Sequence, residues 1–280
     1  MASYDETIMD EANLSYTVKP TASLRDQSSF REYFAEYIGT LVLVLCGTGA
    51  SAQVLINRSA RGTGFLTVNI GWSLGIVCGI LLAGPVSGAH LNPAITFANA
   101  LFGKFSWHKT CFYIFSQLLG AFSGAALTYV VYWPAFADID DGTRRISGKK
   151  GTADIFATYP HASDPAFNCF FTEVIATVFL VMGLLAITNP KHRIPIWGVA
   201  VLGGVLVAAI GISIGFMTGY AMNPARDLGP RFFTAIAGWG WGTFTANNYY
   251  FWIPLTAPFV GAILATVIYE SLVDPPDFSL

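Results

Sequence analysis

The tripeptide Asn-Pro-Ala stands at Asn92-Pro93-Ala94 and again at Asn223-Pro224-Ala225, each time just past a long apolar stretch and in a segment too short to cross a bilayer. Asn followed by Pro is a helix-start signal. The asparagine side chain caps the first free backbone N–H groups, and proline fits the first helical position because its missing N–H had no partner there. Two helix starts held at membrane depth by two related parts of one chain predict a site at the bilayer midplane, where half-helix dipoles converge. The arrangement points toward a pore.

Composition agrees with a membrane interior. Of 280 residues 54% are hydrophobic and 11% charged, against roughly 25% charged in soluble domains, and the mean hydropathy is +0.54. At about 20 apolar residues per crossing, spans are expected near 32–56, 65–84, 107–133, 166–188, 195–216 and 249–272. Two shorter apolar pieces, 91–102 and 222–237, reach only half-way across at about 1.5 Å per residue. Their lead-ins, 84–90 and 217–221, are expected to be irregular backbone, which survives at that depth only when buried in protein or lining a wet cavity.

The halves repeat. Glu36 and its neighbours match Glu173 and its neighbours at an offset of 137; the Asn-Pro-Ala copies lie 131 apart; Gly120-Ala121 matches Gly261-Ala262 at 141. Three spans per half make the second half start from the opposite side, so the repeat is inverted. The expected fold is an all-α membrane protein with six transmembrane helices and two half-helices meeting at the midplane. Residues 1–30 read as a cytoplasmic disordered tail and 31–272 as one channel domain. Its repeats are 31–133 and 166–272, joined by a loop over 134–165, and 273–280 form a short C-terminal tail. Glycines at every fourth position, Gly71/Gly75/Gly79 and Gly211/Gly215/Gly219, are expected to bring helix backbones close.

Charge places the termini inside. Lys19, Arg25, Arg31, Lys104, Lys109, Lys191 and Arg193 fall on that side; of the eight on the other, Arg226 and Arg231 belong to a half-span and four lie in the long loop, where they weigh less. The net charge of −2 gives no reason to expect nucleic acid. Cys46, Cys78, Cys111 and Cys169 stand singly in apolar segments, with neither metal spacing nor a disulfide framework. Nothing in the pattern requires a cofactor, a metal or a catalytic group. Asn57-Arg58-Ser59 is a glycosylation sequon lying almost against the membrane.

His90-Leu91-Asn92-Pro93-Ala94-Ile95-Thr96 and Asn223-Pro224-Ala225-Arg226 resemble the paired signatures of the aquaporin (major intrinsic protein) superfamily, over about residues 31–272. Asp227 after the second motif, with Gly211 and Tyr220 upstream, resembles the aquaglyceroporin and glycerol-facilitator branch. The resemblance implies a passive channel for glycerol, water and other small neutral solutes, and a homotetramer in the lipid bilayer, with the plasma membrane as its expected place. It implies a constriction made by Trp72, Gly211, Tyr220 and Arg226, amide donors of Asn92 and Asn223 pointing into the channel, and acceptor carbonyls from Gly88, Ala89, His90, Gly219, Tyr220 and Ala221. Competing readings make Trp72 and Tyr220 plain core aromatics, Gly211 a packing residue and Arg226 a structural ion-pair partner. A guanidinium in an apolar stretch is nonetheless costly unless it faces a cavity or partners, and the aromatics offer apolar faces to the carbon edge of a polyol.

Glu36 and Glu173 are expected to brace the half-helix lead-ins by accepting hydrogen bonds from backbone that lipid cannot satisfy. The alternative makes them the proton-coupling carboxylates of a secondary transporter. Asp227 is expected to pair with Arg231 or loop backbone without touching substrate, and His90 to be a vestibule or structural residue, hydrogen-bonded beside the loop, rather than a titrating gate. Part of the loop over 134–165 is expected to fold over the outer vestibule.

Overall fold

The computed structural model describes residues 25–56, 64–161 and 165–275; the sequon at Asn57 and the last five residues lie outside them. The described residues are helical, without strands. In chain order the helices are α1 (Arg25–Ile56), α2 (Gly64–Ser87), α3 (Pro93–Leu101), α4 (Trp107–Asp140), α5 (Ala166–Ile187), α6 (Ile196–Ile214), α7 (Pro224–Thr234), α8 (Gly242–Tyr249) and α9 (Trp252–Ile268). Helix α8 is short and leaves helical geometry at Ala246, while α9 runs on through a π-turn, Tyr269–Val273. Helices α1, α2, α4, α5, α6 and extended α9 are long and apolar enough to cross a membrane. Their outer surface carries large exposed apolar side chains such as Leu74, Phe115, Val130 and Phe179, an extent of apolar surface that water-exposed monomers do not show.

Three boundaries differ from the sequence expectation. Residues 25–30, expected in the tail, already belong to α1; residues 1–24 lie outside the described residues. Residues 84–87, expected in an irregular lead-in, continue α2 through Pro85. Helix α4 runs seven residues past the expected end at 133 with Pro134 inside it. A proline removes one backbone donor and disturbs one turn, and the aromatic packing of Phe136, fully buried against Phe156 and Trp239, holds the helix past that defect.

Helix α1 packs on α2 and α4, α5 on α6 and α9, and the halves meet along α2 and α6. Each half-helix packs on the last long helix of the other half, α7 on α4 and α3 on α9. Ala94 and Ala98 of α3 join Ala262 and Ala265 of α9 in one buried cluster, closed by an edge-on contact of Phe97 with Phe259. Small residues set the closeness. A Cβ on Gly71, Gly75 or Gly79 would lie 2.1 Å from Ala50 Cβ, 2.7 Å from the Leu43 carbonyl or 2.9 Å from the Gly39 carbonyl, so the first glycine row seats α2 on α1. The repeat-matched pair Gly120 and Gly261 plays that part for α4 on α1 and for α9 on α5, against the carbonyls of Tyr37 and Val174. The second row departs from the expectation: Gly211 and Gly215 face the ring of Tyr220 rather than a neighbouring helix backbone.

Candidate functional site

The half-helices begin as the tripeptides predict. Asn92 Oδ1 accepts from Ala94 N at 2.9 Å, Asn223 Oδ1 from Ala225 N at 3.0 Å and Arg226 N at 3.2 Å, and Pro93 and Pro224 occupy the first turns. The amide nitrogens cross between the halves. Asn92 Nδ2 donates to the Met222 carbonyl at 2.9 Å and Asn223 Nδ2 to the Leu91 carbonyl at 2.7 Å. An amide has two hydrogens, so each asparagine retains a second donor, and both side chains line the central cavity.

Two carboxylates hold the lead-ins in place. Fully buried Glu36 accepts from His90 N (2.9 Å) and Ser87 Oγ (2.6 Å) on one oxygen, and from Leu91 N (2.7 Å) and Gln117 Nε2 (2.8 Å) on the other. Glu173 repeats the pattern with Ala221 N (2.9 Å), Thr218 Oγ1 (2.6 Å) and Met222 N (2.8 Å). The strain they counter is visible in the backbone: Ala89, Leu91, Tyr220 and Met222 have φ of 52°, 50°, 40° and 51°, unfavourable for residues with a Cβ. This left-handed alternation turns carbonyls out of any helix. Among the described residues, the carbonyls of Gly88, Ala89, His90, Gly219, Tyr220 and Ala221 accept no hydrogen bond from the protein. His90 is tied sideways, Nδ1 to Thr96 Oγ1 at 3.2 Å and Nε2 to Asn99 Nδ2 at 3.3 Å.

The connecting segment comes down on the second half-helix. Ala153, Ile155, Phe156 and Ala157 are buried. Thr158 offers its N–H and hydroxyl to Asp227 Oδ2 at 2.7 and 2.6 Å, and its carbonyl accepts from Arg231 Nη2 at 2.6 Å. Asp227 and Arg231 are themselves paired at 2.8 Å. Arg226 Nη1 donates to the Phe156 carbonyl at 3.2 Å, and its guanidinium lies 3.9 Å from the centroid of the Trp72 ring, a stacked cation–π geometry.

Three cavities lie in series along this centre. A cavity of about 430 Å³ on the connecting-loop side shares Trp72, Tyr220 and Arg226 with a central one of about 80 Å³. The central cavity shares Ile80, Ala89, His90, Ile95 and Leu184 with a third, of about 250 Å³, on the side of the termini. Shared walls join them into one passage, of which the central cavity is the smallest part. Of the four residues expected at the constriction, Trp72, Tyr220 and Arg226 line it and Gly211 does not. A Cβ on Gly211 would lie 1.9 Å from Asn69 Oδ1 and 2.7 Å from Tyr220 Cζ; one on Gly47 would lie 2.1 Å from the Trp72 ring. The room beside Gly47 is thus filled by the Trp72 ring, and that beside Gly211 by the Asn69 amide and the Tyr220 ring.

The pattern that defines the Major intrinsic protein family matches residues 23–269. The chain belongs to the major intrinsic protein family. Among its relatives, Aquaglyceroporin-2 of Rhizophagus irregularis is 43% identical over 245 residues, covering 87% of this chain and 77% of that protein. Aquaporin-9 of Homo sapiens is 40% identical over 245 residues, 87% of this chain and 83% of that protein. The X-ray structure of the aquaglyceroporin from Plasmodium falciparum superposes with a TM-score of 0.81 at 33% identity, covering 88% of this chain and 98% of the other. Like other major intrinsic proteins, the chain is an integral membrane protein with the aquaporin fold.

Several participants were absent from the sequence reading. Ser87 and Thr218 stand five residues before the two Asn-Pro-Ala asparagines, so the repeat itself marks them. Gly47, Phe156 and Thr158 carry no such mark; Phe156 acts through its carbonyl as well as its ring, and Thr158 through its backbone as well as its hydroxyl. One expectation follows for Gly211→His: with no space for a Cβ, the Asn69 amide and the Tyr220 ring must both give way, and the ring is pushed into the passage. Glycerol conduction should fall by about tenfold or more, the equivalent of ~1.4 kcal/mol or more of added barrier, and water conduction by less. Stopped-flow light scattering on vesicles reads both fluxes; an equal loss of the two would place the ring elsewhere.

Proposed function

We infer that this major intrinsic protein is a passive channel for glycerol, water and other small neutral solutes that excludes ions and protons. The observation that carries the reading is the three-cavity passage with two capped helix starts at its small central cavity. Trp72, Tyr220 and Arg226 serve as the selectivity filter, with Gly211 behind Tyr220. The guanidinium and the free carbonyls bind hydroxyls, while the rings of Trp72 and Tyr220 receive the C–H edge. The second amide hydrogens of Asn92 and Asn223, together with the positive ends of α3 and α7, orient water at the midpoint and oppose cations. The exposed belt of apolar side chains fits a lipid bilayer, the plasma membrane in this reading, with both termini cytoplasmic and four copies forming a homotetramer.

The coupled-transporter alternative is not favoured. Glu36 and Glu173 line none of the three cavities, and their oxygens are taken up by the lead-ins, so neither meets a solute in transit. The direct test is glycerol and water flux in proteoliposomes of purified protein, with and without a pH gradient. The expected result is a downhill glycerol flux, well above that of empty liposomes, that the gradient leaves unchanged. Accumulation of glycerol above its outside concentration would establish a pump instead.

A further inference from the structure

Asn69 is fully buried on α2, one turn before Trp72, and lines none of the three cavities in series. Its amide nitrogen donates to the Phe65 carbonyl at 2.8 Å. A carbonyl can only accept, so that bond fixes which end of the amide is nitrogen and leaves Oδ1 to face α6. There Oδ1 enters the notch beside Gly211. A Cβ on that glycine would lie 1.9 Å from Asn69 Oδ1 and 2.7 Å from Tyr220 Cζ, so the amide oxygen and the phenol end of Tyr220 meet around one point behind the constriction. The same ring lies along the end of α6, where a Cβ on Gly215 would stand 2.4 Å from Tyr220 Cδ1. Asn69 Oδ1 and the Tyr220 hydroxyl are both buried, and neither has a hydrogen-bond partner among the described residues.

One of these atoms can only accept and the other can donate. A buried phenol ordinarily finds an acceptor, and the Tyr220 hydroxyl has a choice of two: Asn69 Oδ1 behind it, or water and solute in the passage that its ring lines. The choice sets the character of the wall. Drawn back onto Asn69, the tyrosine presents an apolar ring to the passage and leaves it wide. Turned forward, the hydroxyl narrows the passage and puts a polar group where the carbon edge of a polyol has to slide. We propose that Asn69 is a positioning residue for selectivity: its amide oxygen takes the Tyr220 hydroxyl after a small turn of the ring, holds the tyrosine back, and so favours glycerol relative to water. The inference rests on the channel reading and adds to it a residue that no solute touches.

The test is the ratio of glycerol permeability to osmotic water permeability in proteoliposomes of wild type, Asn69→Leu, Tyr220→Phe and the double variant. Leucine keeps nearly the shape of asparagine and lacks its acceptor. Asn69→Leu should lower the ratio about fivefold, the scale of one hydrogen bond expressed in a permeation barrier, because the freed hydroxyl turns to the passage. In the Tyr220→Phe background there is no hydroxyl to release, so the same leucine substitution should leave that background's ratio where it was. An asparagine that only supports the fold gives a different pattern, an equal loss in both backgrounds, and that result would overturn the proposal. So would a ratio that Asn69→Leu leaves at the wild-type value. Should the leucine variant not fold, Asn69→Ala removes the same acceptor and is compared across the same two backgrounds. Absence of glycerol flux in the wild type would instead strike the channel reading itself.

Discussion

Glu173→Leu is expected to abolish folded protein. The carboxylate is fully buried and accepts from Thr218 Oγ1, Ala221 N and Met222 N; leucine leaves those three donors without an acceptor. At about 1–3 kcal/mol for each buried donor left unsatisfied, the loss is roughly 3–9 kcal/mol, comparable with the whole stability of a typical domain. Glu173→Gln is milder. It keeps one acceptor oxygen and turns the other into a donor facing an N–H, so about one donor's cost is expected, with passive glycerol flux retained in whatever protein folds. Thermal unfolding in detergent, followed by fluorescence-detected size exclusion, measures both. A leucine variant as stable as wild type would show that the lead-in finds other partners.

Arg226→Val carries the second large effect, on ions rather than on folding. A fixed guanidinium opposes a monovalent cation about 4 Å away by about 4 kcal/mol at an effective dielectric constant near 20, close to three powers of ten in rate. With valine that barrier is gone, and Asp154, on the same vestibule wall, is then the formal charge left among the described residues that line the passage, and it attracts cations. Cation or proton current should therefore rise from the background level by about two to three powers of ten. The variant also loses the hydrogen bond to the Phe156 carbonyl and the stack on Trp72, so the filter widens and glycerol flux should not fall. Electrical recording on membranes with matched amounts of wild-type and variant protein gives the answer. Background-level current in a folded variant would take Arg226 out of ion exclusion.

What the sequence revealed and what it hid divide along a physical line. Caps act within three residues, so Asn92 and Asn223 announced both half-helices. The braces act across the fold, yet Glu36 and Glu173 remained legible because an ionisable group in an apolar span demands a partner and because the repeat supplied each with a counterpart. The descent of residues 153–158 was hidden because three of its four fastenings run through the Phe156 and Thr158 backbone, which every residue type has, and only the Thr158 hydroxyl adds a side chain. Helix α4 overran its expected end because Pro134 reads locally as a stop, while the buried ring of Phe136 that overrides it lies beyond that local signal. Gly211 was legible as a small residue of a packing row or of the constriction; that Asn69 and the Tyr220 ring fill the space beside it required knowing that the lead-in bends back over α6.

The reciprocal amide bonds between the halves bear on how such a chain can be made. The Leu91 carbonyl is met by Asn223, and the Asn92 amide by the Met222 carbonyl, so when α4 leaves the ribosome both groups still await partners about 130 residues downstream. An orphan carbonyl held in lipid costs several kcal/mol, which makes the final seat of α3 untenable until α7 arrives. Translation order thereby imposes a waiting state: the long helices can enter the bilayer one by one, but the two short ones must settle together, at the end of synthesis, each serving as the template for the other.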